Sequence, residues 1–195
     1  MGDFSGKFLK NESFEEMDLR NSNFYGASIY NCNFRLSMLD GSCMKSTKIK
    51  NSNFFNASMI KVDISNSWLE KVTLDRSVLL NLISIESIYK ECTFIDAYSE
   101  RANFLSSVFN NCIVSDMYLD EAILQYIKVL KTDFLKASCL PDNFHPEYLK
   151  KPKKKIKWFF LVLILSIVTA KIINEKGLKW IIDLIPDIIY LIKRF

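Results

Sequence analysis

From Phe4 to Cys139 a large apolar residue returns at every fifth position. The series opens Phe4, Leu9, Phe14, Leu19, Phe24, Ile29, Phe34 and Leu39 and runs on to Val129 and Phe134. Only Ser84, Ser99 and Cys139 fall outside the rule. Two residues before each centre stands a smaller class, as at Ser22, Ala27, Cys32 and Ser37, and later Cys92, Ala97, Ala102 and Ser107. A period of five fits neither a helix nor a strand, so no ordinary amphipathic element buries this pattern. A fixed internal period instead predicts a repeat architecture whose units bury their faces against their neighbours.

If each five-residue unit forms one side of a square coil, large and small side chains both point inward. Four units close a coil of 20 residues, and the 28 units from Phe4 to Cys139 predict about seven coils. At the spacing of sheet strands such a rod is about 34 Å long. One column then holds Phe14, Phe34, Phe54, Leu74, Phe94, Val114 and Phe134, nearly a continuous phenylalanine ladder. Asn11, Asn21, Asn31, Asn51 and Asn56 suit the corners, where left-handed backbone is tolerated, and Gly26 and Gly41 share that position. Near Leu82 to Tyr89 the classes exchange: Leu82 takes a small slot and Ser84 a large one. The summed volume is kept, which predicts a local distortion and no break.

The pairs Asn23-Phe24, Asn33-Phe34, Asn53-Phe54, Asn103-Phe104 and Asp133-Phe134 carry a motif that resembles the pentapeptide-repeat family. The resemblance implies a right-handed quadrilateral β-helix over residues 1–140. The expected fold class is therefore an all-β repeat solenoid, followed by C-terminal α-helical membrane segments. Residues 141–155 form a cap and basic linker, 156–173 a candidate transmembrane helix, and 175–195 an amphipathic or second membrane helix.

Charge changes the picture. The net +4 conceals an acidic rod, 15 Lys and Arg against 19 Asp and Glu over residues 1–148. The tail, 149–195, holds 11 against 3. An acidic rod joined to a basic, apolar tail is not the profile of a uniformly basic nucleic-acid binder, and a nucleic-acid partner is not expected. The five cysteines do not read as a disulfide framework, because Cys32, Cys92 and Cys112 sit in the small inward class. Met1 to Lys10 lacks the apolar run of a secretory signal, so a reducing, cytoplasmic rod is the expectation.

Candidate chemistry is sparse. His145 is the single histidine, and it reads as part of the cap with Phe144 and Tyr148. No paired carboxylates, clustered ligands or phosphate loop are apparent. The expectation is therefore no catalytic residue, no metal and no cofactor. The outward positions do turn apolar from the fifth coil on, at Ile83, Ile85, Ile88, Leu105, Val108, Ile113 and Ile123. Trp68, Ile88 and Val108 fall in one column and Ile85 and Leu105 in the next, which predicts a contiguous patch for a protein partner, a second copy or the chain's own tail.

The tail carries the second signal. Lys153, Lys154 and Lys155 lie in a lysine cluster just before Trp158, Phe159 and Phe160, which open an uninterrupted apolar run to Ala170. Eighteen residues, Ile156–Ile173, would span about 27 Å of hydrocarbon. The boundary tryptophan and the lysines favour insertion, with the rod on the cytoplasmic side of the inner membrane. The alternative is a soluble dimer helix, since the resemblance implies C-terminal dimerisation in family members. In residues 175–195, Asp183 and Asp187 lie on one polar stripe of an otherwise apolar helix kinked at Pro186. It is read as lying in the interface, against a spanning oligomer with facing Asp stripes or a soluble helix.

These features lead to a membrane-anchored, non-catalytic scaffold that binds a protein partner or self-associates, with membrane lipid contacted by the tail. An alternative is a membrane-perturbing effector of toxin or phage-defence (antiviral defence) type. A third, implied by resemblance alone, is a gyrase-binding DNA mimic, to which the weak acidity of the rod is a poor match.

Overall fold

The computed structural model describes residues 2–142 and 144. Its repeating element is a three-residue strand: β1 (Phe8–Lys10), β2 (Ser28–Tyr30), β3 (Lys48–Lys50), β4 (Trp68–Glu70), β5 (Ile88–Lys90), β6 (Val108–Asn110) and β7 (Lys128–Leu130). Each strand pairs in parallel with the next at an offset of 20 residues, giving one seven-stranded sheet in chain order. The other three sides carry isolated parallel bridges at the same offset, such as Asn33↔Asn53, Met38↔Ser58 and Cys43↔Asp63. The described residues form a four-sided parallel β-solenoid. Below, the sides are named by their outward columns: the sheet side, then those of Asn33, Met38 and Cys43.

Corners explain the five-residue period. Every fifth residue from Gly6 to Lys131 has a positive φ, between 50° and 68°, and only Gly6, Gly26 and Gly41 among them are glycine. An L residue in this region costs about 1–2 kcal/mol, and here Leu36, Arg76 and Tyr126 adopt it. That cost is offset by a hydrogen bond to the following coil at every corner from Gly6 to Asp116. Asn11 N–H donates to the Tyr30 carbonyl at 3.0 Å, Leu36 to Phe55 at 3.1 Å and Arg76 to Ile95 at 2.8 Å. Asn and Asp just before the centre add a local bond: Asn23, Asn33, Asn53 and Asn103 each accept the N–H two residues on. This is the role of the Asn-Phe pair in the sequence motif.

Both predicted inward classes are buried. Phe34, Phe104 and Phe109 are wholly inaccessible, as are Ala27, Ser37 and Ala102. Phe14, Phe34 and Phe54 stack at 4.7 and 4.6 Å between centroids. The small column has a polar logic that size alone did not predict. Thr47, Ser67, Ser87 and Ser107 form a hydroxyl ladder in which each Oγ accepts the N–H of the preceding member, at 2.9, 3.5 and 3.1 Å. The Oγ atoms of Ser67, Ser87 and Ser107 in turn donate to the carbonyls of Met44, Ile64 and Ser84. The hydroxyls of this ladder are thus satisfied by the neighbouring coils, whereas those of Ser42 and Ser99, equally buried, have no partner.

The exchange at Ser84 resolves into a pair. Tyr89 is buried as the centre of the next side, and its Oη shares a hydrogen bond of 2.6 Å with Ser84 Oγ. Ser84 gives the phenol both room and a partner, while Leu82 fills the small slot, buried. Burial pushes the Tyr89 phenol well above its ordinary value.

The solenoid makes about six full turns, since the strands form six successive pairs. The expected seventh is incomplete. Phe134–Lys136 is a short 3-10 helix, capped by Asp133, which accepts from the Leu135 N–H. The next positive φ falls at Cys139, out of the five-residue register. Phe134 remains buried, and Phe144 packs over it at 6.3 Å between centroids. His145 and Tyr148 lie outside the described residues, as do the candidate helices at 156–173 and 175–195. Among the described residues no helix is long and apolar enough to cross a membrane.

Candidate interaction surface

Parallel pairing in register fixes where the outward apolar residues stand. Trp68, Ile88 and Val108 are direct partners on β4, β5 and β6. Their neighbours Ile85 and Leu105 sit across the corner, on the Cys43 side, where the Glu86 N–H donates to the Leu105 carbonyl at 3.0 Å. The five predicted residues therefore straddle one edge of the rod as a convex ridge. Trp68 is 41% exposed, and the other four are half-buried against the corner. Ile83 and Ile123, 38% and 39% exposed, lengthen the ridge on the Cys43 side through their shared bridging to Asn103. Sequence reading noted both as outward apolar residues without joining them to the patch; their common 20-residue column with Asn103 was the available signal.

Charged groups line the sheet side of the ridge. Glu70 lies between Lys50 and Lys90, at 2.5 and 2.6 Å. Hydrogen bonds from Lys50 and then Lys90 hold its carboxyl at about 2. The same contact with Glu70 raises Lys90. On the Met38 side, two stacked phenols, Tyr98 and Tyr118, lie 4.9 Å apart, and Tyr98 Oη donates to Glu100. That bond pushes Tyr98 up to about 12.

Three of the five thiols, Cys32, Cys92 and Cys112, are buried. Cys92 and Cys112 are buried in the small class, with Sγ atoms donating to the carbonyls of Leu69 and Tyr89. Burial pushes the Cys92 thiol up. Among the described residues no group of three His, Cys, Asp or Glu side chains is placed to hold a metal ion. The tail candidates Lys153, Lys154, Lys155, Trp158, Phe159, Phe160, Asp183 and Asp187 lie outside the described residues.

Comparison with known proteins agrees with this geometry. The family model described as pentapeptide repeats, in eight copies, matches residues 3–35 and 18–54. Among solved structures, QnrB1, a plasmid-mediated fluoroquinolone resistance protein, is 14% identical with a TM-score of 0.58, covering 73% of this chain and 88% of its own. A pentapeptide repeat protein from the Arabidopsis thaliana thylakoid lumen is 17% identical with a TM-score of 0.32, covering 60% of this chain and 70% of its own. At 14% identity the likeness to QnrB1 speaks for the fold alone. No curated protein matches the chain.

Proposed function

We propose, from the premise that the repeats of this chain are pentapeptide repeats, that it is a non-catalytic scaffold whose rod presents one edge to a protein partner. The observation that carries this is the ridge of Trp68, Ile85, Ile88, Leu105 and Val108, extended by Ile83 and Ile123. An apolar line that follows one edge over several coils differs from singly scattered surface residues, and such patches mark interaction sites. A convex edge suits a groove on a protein partner or on a second copy. The basic, apolar tail from Lys150 onward anchors the rod at the cytoplasmic face of a membrane in this reading.

The test is a photo-crosslinking amino acid placed singly at positions 85 and 105 in the full chain, with position 115, on the Asn33 side, as the reference. A discrete adduct is expected from 85 and 105, either at twice the chain mass or with one other protein. Equal adducts from all three positions, or none from the ridge, would refute the scaffold reading.

A further inference from the structure

The sheet side differs from the rest of the rod in charge. Its strands carry Lys10, Lys48, Lys50, Lys90 and Lys128 against Glu70 alone. Its flanking corner adds Lys71 and Lys131 against Glu91. Each of the other three sides holds more Asp and Glu than Lys and Arg on its outward and corner positions. Glu70 engages Lys50 and Lys90, and Glu91 reaches Lys71 and Lys90 at 3.9 Å. Among the described residues Lys10, Lys48, Lys128 and Lys131 are exposed and make no ion pair. A seven-stranded parallel sheet holds these groups on one surface, over six coil steps or about 29 Å.

We propose that this sheet side docks on an anionic phospholipid surface, with Trp68 seated at the headgroup level between the lysines. Three features favour lipid over other polyanions. The side bears no arginine, the residue suited to bidentate phosphate and base-edge recognition. Its lysines are spread over a broad surface, as a diffuse layer of headgroup charge requires. At its centre stand an exposed tryptophan and the aliphatic Ile88 and Val108, and towards β1 the exposed Phe8 beside Tyr30, an apolar and aromatic surface that rewards a headgroup boundary. Ile85 and Leu105, around the corner with Ile83 and Ile123, stay open to a protein partner. The inference assigns Trp68, Ile88 and Val108 to lipid and leaves the Cys43-side part of the ridge to the scaffold reading, on which it does not depend.

The test uses the full chain with Cys43 and Cys139 replaced by serine, carrying Ile88→Cys or, on the Met38 side, Tyr98→Cys, each labelled with an environment-sensitive fluorophore. Vesicles of phosphatidylcholine alone are compared with vesicles containing phosphatidylserine. The label at position 88 is expected to shift to shorter wavelength only with phosphatidylserine, and to lose the shift in high salt; the label at position 98 is expected to stay unchanged. Neutralising Lys48, Lys128 and Lys131 to glutamine should weaken the response about a hundredfold, at roughly fivefold per lysine. The tail is the same in every sample, so it does not account for a difference between labels or lysine variants. No shift, an equal shift at both positions, or an equal shift with phosphatidylcholine alone overturns the proposal. A shift with duplex or single-stranded oligonucleotide in place of vesicles overturns it in favour of nucleic acid. Crosslinks from positions 85 and 105 that persist with a silent label at 88 would leave the scaffold standing and the lipid docking refuted.

Discussion

Restoring the repeat consensus at Ser84 is expected to damage the protein. Ser84→Leu returns a large residue to a large slot, as the pattern over the rest of the chain would recommend. In the structure that slot is already occupied by the phenol of Tyr89, whose Oη lies 2.6 Å from Ser84 Oγ. Both residues are buried, at 0% and 1% exposure. Leucine would overfill the coil, at about 1–3 kcal/mol, and strand a buried hydroxyl, at about 1–3 kcal/mol more. The total, about 2–6 kcal/mol, corresponds to a fall of about 1–3 M in the urea midpoint for an m-value of about 2 kcal/mol/M. In a Tyr89→Leu background the phenol is gone and a void remains. There Ser84→Leu should stabilise, by about 1 kcal/mol or more, because it fills that void. The measurement is a double-mutant cycle by urea unfolding, followed by far-UV circular dichroism. A similar cost in both backgrounds, or a gain in the parent chain, would refute the pairing of Ser84 with Tyr89.

Two further outcomes follow from the core and the sheet. Phe54→Asp places an unpartnered carboxylate inside the phenylalanine column and should unfold the rod, whereas Asn53→Asp, which keeps an oxygen for the Phe55 N–H, should be near neutral; equal melting temperatures for the two variants would contradict the five-residue register. Glu70 is held at about 2 against an ordinary 4.5, so the stability it contributes is fully present above about 4.5 and is lost as pH falls through about 2; Glu70→Gln should flatten the acid dependence of stability in that window, and an unchanged profile would show that the Lys50–Glu70–Lys90 bridge is inert.

Much of the solenoid can be read from the chain because it is one-dimensional. Each coil meets only its neighbours, so the sequence period is also the spatial period, and the columns of Phe14, Phe34 and Phe54 or of Trp68, Ile88 and Val108 follow by counting twenty. What stayed hidden depends on direction and partner. Thr47, Ser67, Ser87 and Ser107 look merely small, and nothing in their size shows that their hydroxyls satisfy the coils on either side. Leu36 and Arg76 at left-handed corners go against residue preference, because a bond to the next coil outweighs local strain. The end of the rod was overrun by the pattern: Phe134 keeps the apolar spacing while the backbone after Asp133 has already turned into a 3-10 helix. The lysines of the sheet side escaped notice because charge summed along the chain averages over all four sides.

The regular corners from Gly6 to Lys131 make the rod an indexing device. Loss or gain of 20 residues between corners shortens or lengthens it and leaves every later side chain facing as before. Loss or gain of five is equally compatible with the backbone but rotates everything downstream by a quarter turn. A five-residue deletion near Ser58 would carry Lys128 and Lys131 off the sheet side and part Phe8 and Tyr30 from the Trp68 edge, with new partners only for the corner bonds that span the cut, such as those from Ser46 and Asn51. Length and facing are thus separable variables in this molecule, and the second is set by a count modulo four.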